Sequence, residues 1–136
     1  MAATALVDAG FLVALLSRRD SHHRWAVNEA SRYPPPWVTC EAVLSEAFHL
    51  LGNAATARLG ALLRRRALVL GFALAENQDP VLRLMQKYAD VPMSFADACL
   101  VRMTETRADA IVLTTDTDFR IYRRHSRQVV PCSLPR

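Results

Sequence analysis

The sequence predicts an α/β fold with a mainly parallel central sheet of about five strands flanked by helices. Three observations predict it. Short apolar runs of strand length recur along the chain, they alternate with segments whose apolar residues follow helical spacing, and two of them, Ala3 to Val7 and Ala110 to Thr114, are followed within two residues by an acid. Alternating strands and helices pack as a parallel sheet covered by helices. With 136 residues, 51% of them hydrophobic, the chain has the size and apolar content for one domain over 1–136.

The elements follow in order. Ala3 to Val7 predicts the first strand, ending at Asp8, and Ala9-Gly10 reads as a break before a helix over Phe11 to Ser17. Ser21 is a candidate N-cap for a second helix through about Arg32, which Pro34-Pro35-Pro36 stops. Trp37 to Thr39 predicts the second strand. Val43, Ala47, Leu50 and Leu51 recur at helical spacing, so Glu41 to Leu51 predicts a helix closed by Gly52. Asn53 can cap a further helix reaching Arg64-Arg65-Arg66, whose charges suit a C-terminal end. Leu68 to Phe72 predicts the third strand. Asp79-Pro80 opens a helix to about Tyr88, because proline is tolerated at the first helical position, and Val91-Pro92 ends it. Ser94 begins a helix through Thr106, Ala110 to Thr114 is the clearest buried strand, and Val129 to Cys132 adds an edge strand.

Composition narrows the function. The apolar run Ala9 to Leu16 is too short to span a bilayer and no basic leader precedes it, so neither export nor membrane insertion is expected. Cys40, Cys99 and Cys132 are odd in number and widely spaced, which suits reduced thiols and a cytoplasmic location. His22, His23, His49 and His125 lack zinc-ligand spacing, and the adjacent His22 and His23 read as surface residues. The formal charge is +4 and the basic residues are nearly all arginine, whose planar fork matches phosphate oxygens. Withdrawing several acids into one site would leave the remaining surface distinctly basic.

Four acids form a candidate site: Asp8 after the first strand, Glu46 on the helical apolar stripe, Asp97 near a helix start, and Asp116 after the buried strand. Each has a plainer explanation. Asp8 could cap the following helix, Ser94 to Asp97 fits a capping box, and Asp116 and Asp118 suit a turn. Glu46 is the hardest to explain away, since a core-facing carboxylate needs a partner and no lysine or arginine lies between Pro34 and Ala57. Ligands of such sheets bind beyond the carboxyl ends of the strands, where Asp8 and Asp116 stand. Crowded carboxylates repel, and a hard divalent cation compensates them; oxygen-only donors suit Mg²⁺ or Mn²⁺ better than zinc.

The stretches Leu6-Val7-Asp8-Ala9-Gly10-Phe11, Val43-Leu44-Ser45-Glu46-Ala47, Ser94-Phe95-Ala96-Asp97-Ala98 and Leu113-Thr114-Thr115-Asp116-Thr117-Asp118-Phe119 resemble, in order and spacing, the PIN-domain nucleases of the VapC-like toxin branch. The segment Asp20 to Ala26 also looks like the second-helix opening of that branch. The resemblance implies a PIN-like three-layer sandwich and an endoribonuclease using Mg²⁺ (or Mn²⁺). It makes Asp8, Glu46, Asp97 and Asp116 the metal-binding and catalytic quartet, Asp118 an auxiliary acid, and Thr114 a hydroxyl that orients a site carboxylate. It further implies an RNA substrate, a homodimer, and a cognate antitoxin that occupies the groove. Gly10 departs from the pattern: many relatives carry a bulkier residue, a serine or a threonine there, so one polar contact near Asp8 is expected to be missing. Arg18-Arg19, Arg64-Arg65-Arg66 and Arg123-Arg124 lie outside the signature and are candidate phosphate contacts, against the commoner meaning of solvated helix face.

Other classes fit less well. A haloacid-dehalogenase-like phosphatase needs a D-x-D pair after its first strand, whereas Asp8 is followed by Ala9-Gly10 and the D-x-D here is Asp116-Thr117-Asp118. Neither G-x-x-x-x-G-K nor G-x-G-x-x-G occurs, which disfavours nucleotide-dependent enzymes, and no serine sits in a G-x-S-x-G elbow. A non-catalytic PIN-like binding or dimerisation module and a stand-alone PIN nuclease without antitoxin are the alternatives; the complete quartet favours catalysis.

Overall fold

A computed structural model describes residues 3–136; Met1 and Ala2, counted in the expected 1–136 domain, lie outside the described residues. A five-stranded sheet in the order β3-β2-β1-β4-β7 forms from β1 (Thr4–Val7), β2 (Trp37–Thr39), β3 (Leu68–Leu70), β4 (Ala110–Leu113) and β7 (Cys132–Ser133), with every pairing parallel. The helices are α1 (Ala9–Leu16), α2 (His23–Arg32), α3 (Glu41–Arg64), α4 (Gln78–Lys87) and α5 (Phe95–Glu105). From β1 the chain steps outward to β2 and β3, then returns to place β4 on the other side of β1. Right-handed crossovers therefore put α1 to α3 on one face and α4 and α5 on the other, giving the expected three layers. The reversal between β1 and β4 is the point where such sheets open a crevice at their carboxyl ends.

The central strands read as unbroken apolar runs because they are buried on both sides: Leu6, Val7, Val112 and Leu113 are inaccessible to solvent. Phe11 and Leu12 of α1 and Val43 and Leu59 of α3 are equally buried, and burying each such side chain contributes about 1.5–3 kcal/mol. Phe11 anchors this face by edge-to-face contacts with Trp25 and Trp37.

Several local expectations change. The helix after β1 begins at Ala9, without the expected break, because the Asp8 carboxylate accepts the Ala9 N–H at 2.8 Å and caps it. The second helix is not capped by Ser21: Asp20 takes the His22 N–H at 2.8 Å, and the His23 ring reaches the Ala14 carbonyl at 2.7 Å, so His23 ties α2 to α1 instead of standing free in solvent. Gly52, at φ 70° and ψ 179°, breaks α3 at the boundary expected from its sequence, yet the two halves abut without a loop. The expected edge strand over Val129 to Cys132 is instead two pieces. Val129 belongs to a hairpin of β5 (Arg123–Arg124) and β6 (Gln128–Val129), and only Cys132 and Ser133 join the main sheet. His125 and Ser126, both at positive φ, make the hairpin turn that Asn-Gly usually signals. Cys40, Cys99 and Cys132 are free thiols, and no described helix is long and apolar enough to cross a membrane.

Gly10 is required by close approach. A Cβ built there would fall on Oγ1 of Thr115. Where a serine or threonine at position 10 would bring a hydroxyl, the loop after β4 brings that of Thr115 against the first turn of α1. Gly10→Ala should lower stability by about 1–3 kcal/mol through overpacking. Thr115→Ala in the same chain should restore most of that loss, measured as a double-mutant cycle in urea; additive effects would show that the two positions do not compete for one space.

Candidate active site

The β1–β4 register Val7↔Leu113 sets the site, because it brings the next residues, Asp8 and Thr114, to the same level at the sheet edge. The Asp8 N–H donates to the Leu113 carbonyl at 3.0 Å, and Thr114 Oγ1 donates to Asp8 Oδ2 at 2.7 Å. The same Thr114 oxygen accepts the Asp116 N–H at 3.0 Å, and Asp116 Oδ1 accepts the Asp118 N–H at 2.9 Å. A continuous chain of bonds therefore runs from Asp8 through Thr114 to Asp116 and Asp118. On the other side Thr39, at the end of β2, donates to the Val7 carbonyl at 2.9 Å and closes the strand end preceding Asp8.

Asp97 arrives from the opposite face on the first turn of α5. Ser94 caps that helix by accepting the Asp97 N–H at 3.0 Å, which is the backbone half of the expected capping box. The Asp97 side chain serves something else: its Oδ2 accepts the Tyr122 hydroxyl at 2.8 Å. Tyr122 is wholly buried and wedged edge-to-face between Tyr88 and Phe119. No sequence signal marks this role, since a tyrosine three residues past Phe119 has no motif and its ring reads as core.

Glu46 requires a correction. It is exposed, and Leu50, four residues on, is 62% exposed, so the buried stripe of the first half of α3 runs through Val43, Leu44 and Ala47. The cost of burying a core-facing charge therefore does not account for Glu46. It stands at the rim, close enough for its charge to act on Asp8. Asp116 and Asp118 are half-buried.

Asp8 and Asp97 are only 6% and 7% exposed. Burial raises Asp8 to about 6; the bonds from Thr114 and Ala9 oppose the rise, and the charges of Glu46 and Asp116 add to it. Burial also raises Asp97 to about 7, followed by the Asp8 charge, with the Tyr122 bond pulling the other way and Asp116 adding to the rise. Among the described residues none of Asp8, Glu46, Asp97 or Asp116 is in a salt bridge, so no protein cation compensates this field. As they stand, no three acidic, histidine or cysteine side chains of the described residues are grouped closely enough to hold a metal ion. The donor set nevertheless fits a hard cation: its side chains offer oxygen only, and carry negative charge that nothing else neutralises.

The PIN domain family matches residues 5–124. The chain belongs to that family, which is one of nucleases. Among solved structures, VapC20 of Mycobacterium tuberculosis, described as a sarcin-ricin loop cleaving toxin, is similar with a TM-score of 0.76 at 21% identity, over 85% of this chain and 92% of that one. PAE2754 of Pyrobaculum aerophilum matches with a TM-score of 0.53 at 21% identity, over 87% of this chain and 84% of that one. At such identities the likeness is one of fold. A comparison with curated proteins found no match.

Two outcomes follow from the buried acids of this PIN domain. Tyr122→Phe removes the donor to Asp97 and keeps the ring, so the Asp97 pKa should rise further and stability at pH 8 should fall by about 1.5–3 kcal/mol. Carboxyl-carbon NMR titration reads the first, and an unchanged value would show that the bond does not hold the charge. Because the folded pKa values of Asp8 and Asp97 lie above the ordinary carboxylate value of about 3.9, the folded state binds extra protons between about pH 4 and 7. Their contribution to stability is therefore greatest below pH 4 and is lost as pH rises through 7. In EDTA, Asp97→Asn should gain on the parent over that range, reaching on the order of 2 kcal/mol at pH 8; parallel stability profiles for the two proteins would contradict it.

Proposed function

We propose that the chain is a Mg²⁺- or Mn²⁺-dependent endoribonuclease and the toxin of a VapBC-type toxin-antitoxin pair, acting in the cytoplasm as a homodimer restrained by its antitoxin. The observation that carries the reading is the pair of buried carboxylates, Asp8 and Asp97, without a cationic partner among the described residues, at the switch point of a PIN-family sheet. Membership of a nuclease family supports phosphodiester chemistry, and the fold shared with VapC20, a sarcin-ricin loop cleaving toxin, supports RNA as the substrate and an antitoxin as the partner.

Asp8, Asp97 and Asp116 would hold the cation, with Glu46 at the rim completing the set. When bound, the cation supplies Lewis acidity and a water of lowered pKa for attack on a phosphodiester. Thr114 fixes Asp8 and the Asp116 backbone at once, and Tyr122 fixes Asp97, so these bonds keep the acids oriented at the sheet edge while the carboxylates would draw together around the ion. Burial keeps water from screening these charges, which strengthens their hold on a divalent ion. Asp118, whose N–H fixes Asp116, is auxiliary.

Purified protein incubated with RNA should cleave it in Mg²⁺ or Mn²⁺ and leave 5′-phosphate and 3′-hydroxyl ends. EDTA should abolish cleavage, and Asp8→Asn should reduce it by at least about 10²-fold. Cleavage that survives chelation and the substitution would defeat the metal reading. An intact RNA alongside normal Mn²⁺ binding would favour the non-catalytic binding module.

A further inference from the structure

Three arginine runs lie outside the acidic signature, and the structure separates them. Arg123 is spent on the chain itself, its guanidinium donating to the carbonyls of Arg120, Ile121 and Tyr122, and Arg124 donates to the carbonyl of Thr104. Arg64, Arg65 and Arg66 cluster at the end of α3, where the helix dipole favours positive charge. Arg18 and Arg19 differ. They line a pocket of about 510 Å³ between the end of α1 and the second half of α3, and Arg58 reaches the same pocket from α3.

Three arginines and no acid line that pocket, and its remaining lining is Ser17 with the small and apolar Leu16, Leu51, Ala54 and Ala55. The comparable cavity of about 560 Å³ against α2 also gathers arginines, but it contains Glu29, which pairs with Arg32 at 3.2 Å. Arg58 has no acid three or four residues away on its helix, since those positions are Ala54, Ala55, Ala61 and Leu62. All three side chains are exposed and make no hydrogen bond among the described residues. Like charges converging over an apolar floor repel each other unless an anion joins them, and arginine forks bind phosphate oxygens in pairs.

We propose that this pocket binds a backbone phosphate of the RNA substrate, away from the cleaved bond; the proposal rests on the ribonuclease reading above. Position favours RNA over an acidic protein segment. α1, capped by Asp8, runs eight residues from Ala9 and carries the chain roughly 12 Å to the pocket, while α3 carries both Glu46 and Arg58. A strand lying along these two helices would meet the acidic site and the arginine pocket in succession, with exposed Leu50 and His49 between them.

The test compares binding of a fluorescein-labelled 12-nucleotide single-stranded RNA, by anisotropy over a range of salt, in an Asp8→Asn background that prevents cleavage. Arg18→Gln/Arg19→Gln/Arg58→Gln should weaken binding at least tenfold and flatten the plot of log affinity against log salt by about 0.7 for each phosphate no longer neutralised. Arg64→Gln/Arg65→Gln/Arg66→Gln should stay within twofold of the parent. With Asp8 intact, the first triple variant should hydrolyse bis(p-nitrophenyl) phosphate as well as the unsubstituted protein, because that small diester cannot reach the pocket. Parental RNA affinity in the first triple variant overturns the proposal and leaves the ribonuclease reading standing. Unchanged RNA affinity with lost binding of poly-glutamate hands the pocket to an acidic protein segment and also overturns it. Loss of small-diester hydrolysis means that the arginines act through the fold and overturns the proposal too, and an unsubstituted chain that neither binds nor cleaves RNA overturns both readings.

Discussion

The parallel pairing of β1 with β4 brings Asp8 and Thr114 level at the edge of the sheet, and the 2.7 Å hydrogen bond between them organises the acids around it. Thr114 has a buried side chain with one donor and two acceptor sites, and it uses the donor on Asp8 and an acceptor on the Asp116 backbone. One hydroxyl thereby couples the end of β1 to the loop after β4. Replacing it by a methyl-bearing isostere would strand a buried carboxylate oxygen, which costs more than the bond itself contributes.

Around that contact the protein accepts an electrostatic conflict. Asp8 and Asp97 approach from opposite faces of the sheet, the Asp8 charge raises the proton affinity of Asp97, and burial raises both. The remainder of the fold is arranged to tolerate this. Three bonds to the two carboxylates, from Thr114, Ala9 and Tyr122, come from the end of a strand, the start of a helix and a ring clamped by two aromatic neighbours. Each donor comes from packed structure, so neither acid can relieve its charge by swinging into solvent. Protonation or a bound cation is the remaining way to satisfy them, and the first becomes unfavourable above about pH 7.

Much of this is legible in the sequence. The strand-end acids can be read because a strand buried on both faces leaves an unbroken apolar run whose end is sharp, as Val7 to Asp8 and Leu113 to Thr114 demonstrate. At Glu46 spacing misleads. It puts the residue on a stripe through Val43 and Leu50, but the stripe bends toward Val43, Leu44 and Ala47 because α1 covers only part of α3. Tyr122 and the β5–β6 hairpin are not legible. Both depend on long-range packing: the turn uses His125 and Ser126 at positive φ in place of glycine, and the tyrosine hydroxyl finds its partner 25 residues away. Gly10 reads as a deficit in the sequence alone, whereas in the fold the loop carrying Thr115 occupies the space above it.

Charge is sorted in the fold, and the sorting bears on how a polyanion could be handled. The acids of the sheet edge would repel RNA if they acted alone, so affinity for it would have to come from elsewhere on the surface or from a cation bound among them. Six of the sixteen arginines are committed elsewhere. Arg32, Arg83 and Arg102 face carboxylates, and Arg107, Arg123 and Arg124 donate to backbone carbonyls. What remains is uneven, and among the described residues it gathers in a concave, acid-free setting at the Arg18–Arg19–Arg58 pocket. If that pocket binds RNA, its position about one α1 length from the acids lets the two sites be tuned independently. The arginines can strengthen binding without neutralising the carboxylates, and the carboxylates can keep the raised proton affinity that a bound divalent ion relieves.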